Sequence, residues 1–99
     1  MSQPIYKVFH VKFNEFWFQL SKPEQDSLLQ KVSAALDQVG GKSHVVCDCH
    51  WSSEAWNGFG LEEYPSIEAV QEHDRLLQEL NWFRYQDSMI TLGTAFPGM

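Results

Sequence analysis

The order of the predicted secondary-structure elements constrains the fold of this chain more than any other feature of its sequence. Ile5–Phe13 is rich in β-branched and aromatic residues and predicts a first strand. Ser21–Glu24 forms an S-x-x-E capping box with a proline in the first helical turn, and Gly40–Gly41 supplies a left-handed stop. The first part of the chain is therefore predicted to form a strand followed by a helix.

The rest of the chain supplies three more strands and one more helix. Ser43–Trp51 and Trp56–Tyr64 predict two strands joined by a short turn, which makes them a hairpin. Pro65–Ser66 begins the second helix, and Asn81 is its expected end. Trp82–Thr91 predicts the last strand. The full order is strand, helix, strand, strand, helix, strand.

This order predicts a layered sandwich in which both helices cover one face of a four-stranded sheet. Each strand-helix-strand half must cross over with right-handed chirality, which brings the two helices to the same side. The strands nevertheless carry apolar residues on both faces, since Phe9 and Val11 alternate with Tyr6 and Val8. A strand with two apolar faces is expected to be buried on both. We therefore predict that residues 1–99 form a single domain that pairs with a second copy as a symmetric homodimer, sheet against sheet.

Three segments carry a resemblance to a known superfamily: Phe16–Ser21 before the first helix, the P-S-x-E-A-x-x-x-H run from Pro65 to His73, and Trp82–Tyr85. With the element order, they resemble the dimeric α/β-barrel superfamily, and within it the small, uncharacterised darcynin-like proteins. The resemblance implies an α+β, ferredoxin-like βαββαβ sandwich, with a four-stranded antiparallel sheet and two helices on one face, pairing into a dimeric α/β barrel. It implies less about activity, because the superfamily includes cofactor-independent monooxygenases, haem-degrading enzymes, isomerases, decarboxylases and members without an assigned role.

The charge of the chain excludes two classes of partner. The net charge is −6, with seven lysines and arginines, whereas nucleic acids and anionic membranes require a basic surface. The sequence contains no apolar run long enough for a membrane span and no basic-then-apolar start typical of a signal peptide. We therefore expect a cytoplasmic protein that binds neither nucleic acid nor membrane.

A short C-D-C-H segment raises the question of a metal site. Thiolate and imidazole ligands suit zinc or copper. On a strand, however, Cys47 and Cys49 point to one face while Asp48 and His50 point to the other. The spacing therefore predicts no metal, the two cysteines are expected to pack as small buried hydrophobes, and no cofactor is expected.

The titratable residues divide into site candidates and surface charge. His73 lies on the apolar face of the second helix, so it either belongs to the core or lines a cavity between helix and sheet. The resemblance implies that this cavity is a ligand site and that His73 is a catalytic or haem-contacting group. His10, the second catalytic candidate, shares the parity of Val8 and lies either in the cavity or at the dimer face. The carboxylates of Glu62 and Glu63 are expected on opposite faces of a strand as solvated edge charge.

Large aromatic rings are the other candidates for a site. A planar organic ligand requires flat apolar walls with a few polar groups, although the same rings could simply fill a dimer core. Asparagine and tryptophan serve in the cofactor-independent monooxygenases of this fold, whose motifs the chain does not clearly reproduce. The ligand-binding candidates are Trp17, Trp56, Asn57, Trp82 and Tyr85.

The leading functional hypothesis is the binding of a small aromatic or polyketide-like molecule in a pocket between sheet and helices. The molecule could also be transformed there without a cofactor, with His73 as the acid/base group, in a monooxygenase-like or isomerase-like reaction. Two alternatives stay open. One is a non-catalytic dimeric interaction protein whose aromatic residues complete the dimer core, and the other is a haem-binding or haem-degrading protein that uses His73.

Overall fold

The computed structural model describes residues 3–98 and has a four-stranded antiparallel sheet. The strand order is β2-β3-β1-β4, and every neighbouring pair is antiparallel. This confirms the predicted ferredoxin-like α+β fold. The elements are β1 (Ile5–Phe13), α1 (Glu15–Phe18), α2 (Lys22–Gln38), β2 (Lys42–Asp48), β3 (Gly58–Tyr64), α3 (Ile67–Glu79), a 3-10 turn (Trp82–Arg84) and β4 (Gln86–Gly93).

Both long helices begin at the capping residues that the sequence indicates. The Ser21 hydroxyl accepts from the backbone N–H of Glu24 at 3.2 Å, while the Glu24 carboxylate accepts from the backbone N–H of Ser21 at 2.8 Å. Ser66 caps α3 by accepting from the backbone N–H of Ala69 at 3.1 Å. These bonds satisfy N–H groups that the helix itself leaves free. No helix within residues 3–98 is both long and apolar enough to cross a membrane.

The last predicted strand begins later than expected. Trp82–Arg84 form a 3-10 turn, and β4 starts at Gln86 instead of Trp82. Asn81 adopts a left-handed conformation with φ of 56°, and its carbonyl accepts from the N–H of Arg84 at 3.1 Å. Asparagine tolerates this conformation better than most residues. The aromatic residues after Asn81 therefore belong to a turn, although their composition is typical of a strand.

The hairpin strands are shorter than predicted, because residues 49–57 form a loop. The loop is closed by the N–H of Cys49, which donates to the carbonyl of Asn57 at 2.9 Å. The N–H groups of Ser52 and Ser53 both donate to the carbonyl of Cys49, so the chain turns directly after β2. The short helix α1 was not predicted, and it is capped by Asn14, whose side chain accepts from the N–H of Phe16 at 3.0 Å.

The two faces of the sheet differ because the helices cover only one of them, and alternate residues of β1 point to each face. Directly paired residues of antiparallel strands share a face. We call the face that carries Lys7 and Phe13 the helix-side face, since α2 and α3 lie over it. The opposite face, which carries Val8 and His10, is called the open face. Four of its large apolar side chains remain between 37% and 49% exposed in the single chain: Val8, Val45, Phe59 and Met89.

Candidate functional site

A cavity of about 380 Å³ lies between the helix-side face of the sheet and helices α2 and α3. This volume falls within the range of roughly 300–1,000 Å³ that is typical of small-molecule sites. Its wall is mainly apolar and interrupted by a few polar groups. The lining residues are Lys7, Phe9, Val11 and Phe13 of β1, Leu29, Val32, Ser33 and Leu36 of α2, Ser43 and Val46 of β2, Glu62 of β3, His73, Asp74 and Leu77 of α3, Trp82 and Phe83 of the 3-10 turn, and Gln86, Ser88 and Ile90 of β4.

The two ends of the cavity differ in chemistry. Lys7 and Phe13 lie on the same face of β1, roughly 20 Å apart by the rise of a strand. Lys7 pairs in register with Glu62, and His73 of α3 lines the same part of the cavity. Phe13 instead has aromatic neighbours. We call these the polar end and the aromatic end.

Four side chains at the polar end form a connected network, which we call the polar quartet: Lys7, Glu62, Tyr64 and His73. The Tyr64 hydroxyl lies 2.6 Å from Glu62 Oε1 and 3.0 Å from His73 Nδ1. Lys7 Nζ lies 3.6 Å from the same Glu62 oxygen and 5.1 Å from the centre of the Tyr64 ring, where a cation–π contact is favourable. His73 is 2% exposed and Tyr64 is fully buried. The quartet is therefore a buried polar group set against an apolar cavity.

One atom of the quartet lacks a partner. His73 Nε2 is buried and has no hydrogen bond to any residue in the described part of the chain. Leaving a buried polar group unpaired costs about 1–3 kcal/mol. A ligand or a water molecule that hydrogen-bonds to Nε2 would remove this cost, which makes His73 the strongest candidate for a contact with a bound molecule.

Burial sets the protonation states of the quartet. It lowers the pKa of His73 below its usual 6.5, and the nearby charge of Lys7 lowers this pKa further, so the imidazole is neutral near neutral pH. Burial and the hydrogen bond to Glu62 raise the pKa of Tyr64, which keeps the phenol protonated. Burial also lowers the pKa of Lys7, while the charge of Glu62 opposes this shift. The quartet thus presents a neutral imidazole beside a lysine–glutamate ion pair.

The aromatic end is built from stacked rings. Trp17 stacks on Phe13 with ring centroids 4.5 Å apart and meets Trp82 edge-on at 6.0 Å. Trp82 lines the cavity itself, whereas Trp17 is buried against Phe13 and contributes no lining atoms. Gln86 fixes Trp82: in the amide orientation that satisfies both partners, its oxygen accepts from Trp82 Nε1 at 3.2 Å. This end therefore offers a rigid edge for a flat ligand.

The other candidate residues lie outside this cavity. His10 is on the open face, with its ring 5.6 Å from that of Trp56 and 5.9 Å from that of Phe59. Asn57 joins the 49–57 loop to β1, because its side-chain oxygen accepts from the backbone N–H of Phe13 at 2.7 Å. Tyr85 lines a separate groove beside α2. The structure therefore brings only His73 and Trp82, among the candidates, to the cavity wall.

The side chains of the C-D-C-H segment do not point towards a common position. Cys47 lies on β2, while Cys49 is buried in the following loop with its sulfur 3.5 Å from the carbonyl oxygen of Trp56. Asp48 and His50 pair with each other at 2.6 Å. Within residues 3–98, no group of three or more histidine, cysteine, aspartate or glutamate side chains is arranged to hold a metal ion.

Sequence reasoning missed three members of the quartet. Glu62 was expected to be solvated, but only 15% of its side chain is exposed, because it lies on the helix-side face opposite Lys7. Tyr64 was interpreted only as the end of a strand. One signal was available: a lysine in the middle of an apolar strand requires a partner when buried, and Lys7 is such a residue. The partner's identity depends on strand register, which the sequence does not state.

Comparison with known proteins gives the fold. No family model and no curated protein matches the sequence. Among solved structures, a variant chlorite dismutase from Candidatus Nitrospira defluvii is 20% identical with a TM-score of 0.76, over 98% of this chain and 42% of that one. A dimeric ferredoxin-like protein of unknown function from Thermobifida fusca is 11% identical with a TM-score of 0.57, over 96% and 93% of the two chains. SnoaB, a cofactor-independent oxygenase from Streptomyces nogalater, is 14% identical with a TM-score of 0.56, over 99% and 98%.

These similarities confirm the resemblance to dimeric α/β-barrel proteins at the level of the fold. The chain spans less than half of the chlorite dismutase chain but nearly all of the other two. Because fold does not fix function, the activities of these proteins describe them and not this chain. The narrower resemblance to darcynin-like proteins stays a prediction.

Proposed function

We propose that the protein binds a small aromatic or polyketide-like molecule in the cavity beneath α2 and α3 and transforms it without a cofactor, with His73 as the acid/base group. The observation that carries this proposal is that His73 lines a mainly apolar cavity while its buried Nε2 lacks a hydrogen-bond partner in the described part of the chain. Apolar side chains would hold the flat part of the ligand, and the Trp82 edge would limit its position at the far end. SnoaB, described as a cofactor-independent oxygenase, has the same fold, which makes such chemistry compatible with it.

The step that this chain's own residues can perform is proton transfer. Nε2 takes a proton from an activated O–H or C–H bond of the ligand, and the electron pair of that bond stays on the ligand. The resulting imidazolium donates from Nδ1 to Tyr64, whose hydroxyl donates to the Glu62 carboxylate. The negative charge of Glu62 thereby stabilises the imidazolium through one intervening group. An isomerisation requires only such transfers, so it is the simplest reaction of this class.

A matched pair of variants on β1 tests the location of the ligand. Val11 lines the cavity and Val8 lies on the open face of the same strand. We expect Val11→Phe to fill part of the cavity and weaken the binding of naphthalene at least tenfold, measured by calorimetry, whereas Val8→Phe retains it. Equal losses in both variants, or no loss in Val11→Phe, would contradict the proposed location.

The haem alternative fits the site less well. The cavity volume of about 380 Å³ is near the lower end of the range for small-molecule sites, which favours a ligand of two or three rings over a macrocycle. We expect no Soret band at stoichiometric hemin, and a saturable band that is lost in His73→Ala would favour the haem alternative.

We also propose that the open face is covered by a second copy of the chain. The exposed apolar residues of this face form a patch across all four strands, and burying it against an identical patch would remove it from water. The protein from Thermobifida fusca is described as a dimeric ferredoxin-like protein and has the same fold, which supports this arrangement. Sedimentation at micromolar concentration is expected to give a dimer, and a monomer would contradict it.

A further inference from the structure

We propose that the polar end of the cavity selects a ligand with a ring hydroxyl that donates its proton to His73 Nε2, and that Tyr64 and Glu62 are positioning residues that impose this polarity. The inference rests on the proposed function and adds the polar group that the ligand must carry. It follows from where the protons of the quartet lie, from the single unpaired atom, and from the charges on the cavity wall.

The proton positions follow from the two contacts of the Tyr64 hydroxyl. Its contact with Glu62 is 2.6 Å and its contact with His73 Nδ1 is 3.0 Å. A length of roughly 2.5–2.7 Å is typical of an O–H group that donates to an ionised carboxylate. Lys7 Nζ lies 3.6 Å from the same oxygen and forms an ion pair with Glu62. The single hydroxyl proton therefore points to Glu62, and the tyrosine oxygen accepts from Nδ1–H of His73.

This tautomer makes Nε2 an acceptor. A neutral imidazole carries one proton, so Nδ1–H leaves a lone pair on Nε2. The atom is buried and lacks a partner in the part of the chain that the structure describes. A carbonyl or ether oxygen on a ligand is itself only an acceptor and cannot satisfy it. A hydroxyl group can, because it carries a proton to donate.

The charges around the cavity favour a neutral ligand. Glu62 and Asp74 both line it, so a carboxylate or phosphate on the ligand would meet two negative groups and only one positive group, Lys7. A hydroxyl oxygen retains lone pairs after its proton is given to Nε2, and the ammonium of Lys7 offers donors on the same part of the wall. A neutral aromatic alcohol thus matches the donor and acceptor groups on this part of the wall.

The test compares three ligands of the same ring size: α-naphthol, its methyl ether and naphthalene, measured by calorimetry at neutral pH. We expect α-naphthol to bind at least about tenfold tighter than the ether, which is the effect of one buried hydrogen bond to an otherwise unpaired acceptor. Equal affinity for naphthol and the ether would overturn this inference while leaving the proposed function intact. Failure of all three to bind would overturn both.

The positioning role of Tyr64 is tested by Tyr64→Phe, with His10→Gln on the open face as the control. Without the hydroxyl, Nδ1 loses its acceptor and the imidazole is free to take the other tautomer, so the preference for naphthol over its ether should shrink towards unity. The control should retain the preference. A full preference in Tyr64→Phe would overturn the role of Tyr64.

Tyr64 is part of the core, so the Tyr64→Phe variant could fail to fold. In that case a measurement of the His73 tautomer in the unmutated protein tests the proposal. Imidazole nitrogen NMR of the free protein should show His73 protonated at Nδ1 and unprotonated at Nε2. The opposite tautomer would overturn the proposal.

Discussion

The two faces of the sheet place histidines in opposite surroundings. His73 projects from α3 towards the helix-side face, where it is 2% exposed and bonded to Tyr64. His10 lies on β1 and faces the other way, half-buried between the rings of Trp56 and Phe59. The helix cover makes the difference, because it excludes water from His73 and from its partners. The comparison teaches that one short strand can border both an enclosed cavity and an exposed apolar face.

The carboxylates of β3 repeat this contrast on neighbouring residues. Glu62 is enclosed with Lys7 on the helix-side face, whereas Glu63 pairs with His44 at 2.8 Å, and 43% of the His44 side chain remains exposed. Ion pairs near solvent contribute little to stability, while a buried charge that loses its partner is costly. The residues on the two faces should therefore respond differently to the same substitution.

The largest effect is expected from removing the charge of Glu62. In Glu62→Gln, Lys7 remains buried without its counter-ion, so we expect a loss of about 3 kcal/mol in the free energy of unfolding. Glu63→Gln is the control and should cost less than about 1 kcal/mol. Urea denaturation of both variants measures the difference. Equal losses would remove the distinction between the two faces.

The next effect concerns the proposed dimer. Met89 and Ile90 are neighbours on β4 with similar exposure, 49% and 52%, but they lie on opposite faces. A lysine at position 89 of each copy would be buried in the symmetric contact, so Met89→Lys should raise the dimer dissociation constant about a hundredfold or more. Ile90→Lys should leave the dimer intact. Sedimentation velocity separates these outcomes, and dissociation in Ile90→Lys alone would place the contact on the other face.

A smaller effect is expected from pH. Burial holds the pKa of His73 below 6.5 in the folded protein, while Lys7, Glu62 and Asp74 modify it by their charges. The unfolded chain therefore takes up this proton first as the pH falls below about 6.5, and the folded state loses stability by up to about 1.4 kcal/mol per pH unit until the folded pKa is reached. His73→Gln should lack this contribution and His10→Gln should retain it. Unfolding free energies measured between neutral and mildly acidic pH test the sign, and a shallower loss in His10→Gln than in His73→Gln would contradict it.

Local sequence signals account for much of the fold but for less of the site. The capping box at Ser21 and the apolar periodicity that turned His73 inward are both contained in short segments, so they could be predicted. The turn after Asn81 could not, because the aromatic residues that follow it have strand composition. The sequence predicted that His10 lies on the same face of β1 as Val8, but it did not predict which face the helices cover. The quartet depends on the register that sets Lys7 opposite Glu62, which is a long-range property of the folded chain.

The most direct test of the account is imidazole NMR of His73 and His10 in one sample during titration with α-naphthol. The ligand should shift the Nε2 signal of His73 in a saturable manner and leave the ring signals of His10 unchanged, because we propose that the ligand binds in the helix-side cavity and that a second copy covers the open face. A saturable shift at His10 with no change at His73 would contradict the account.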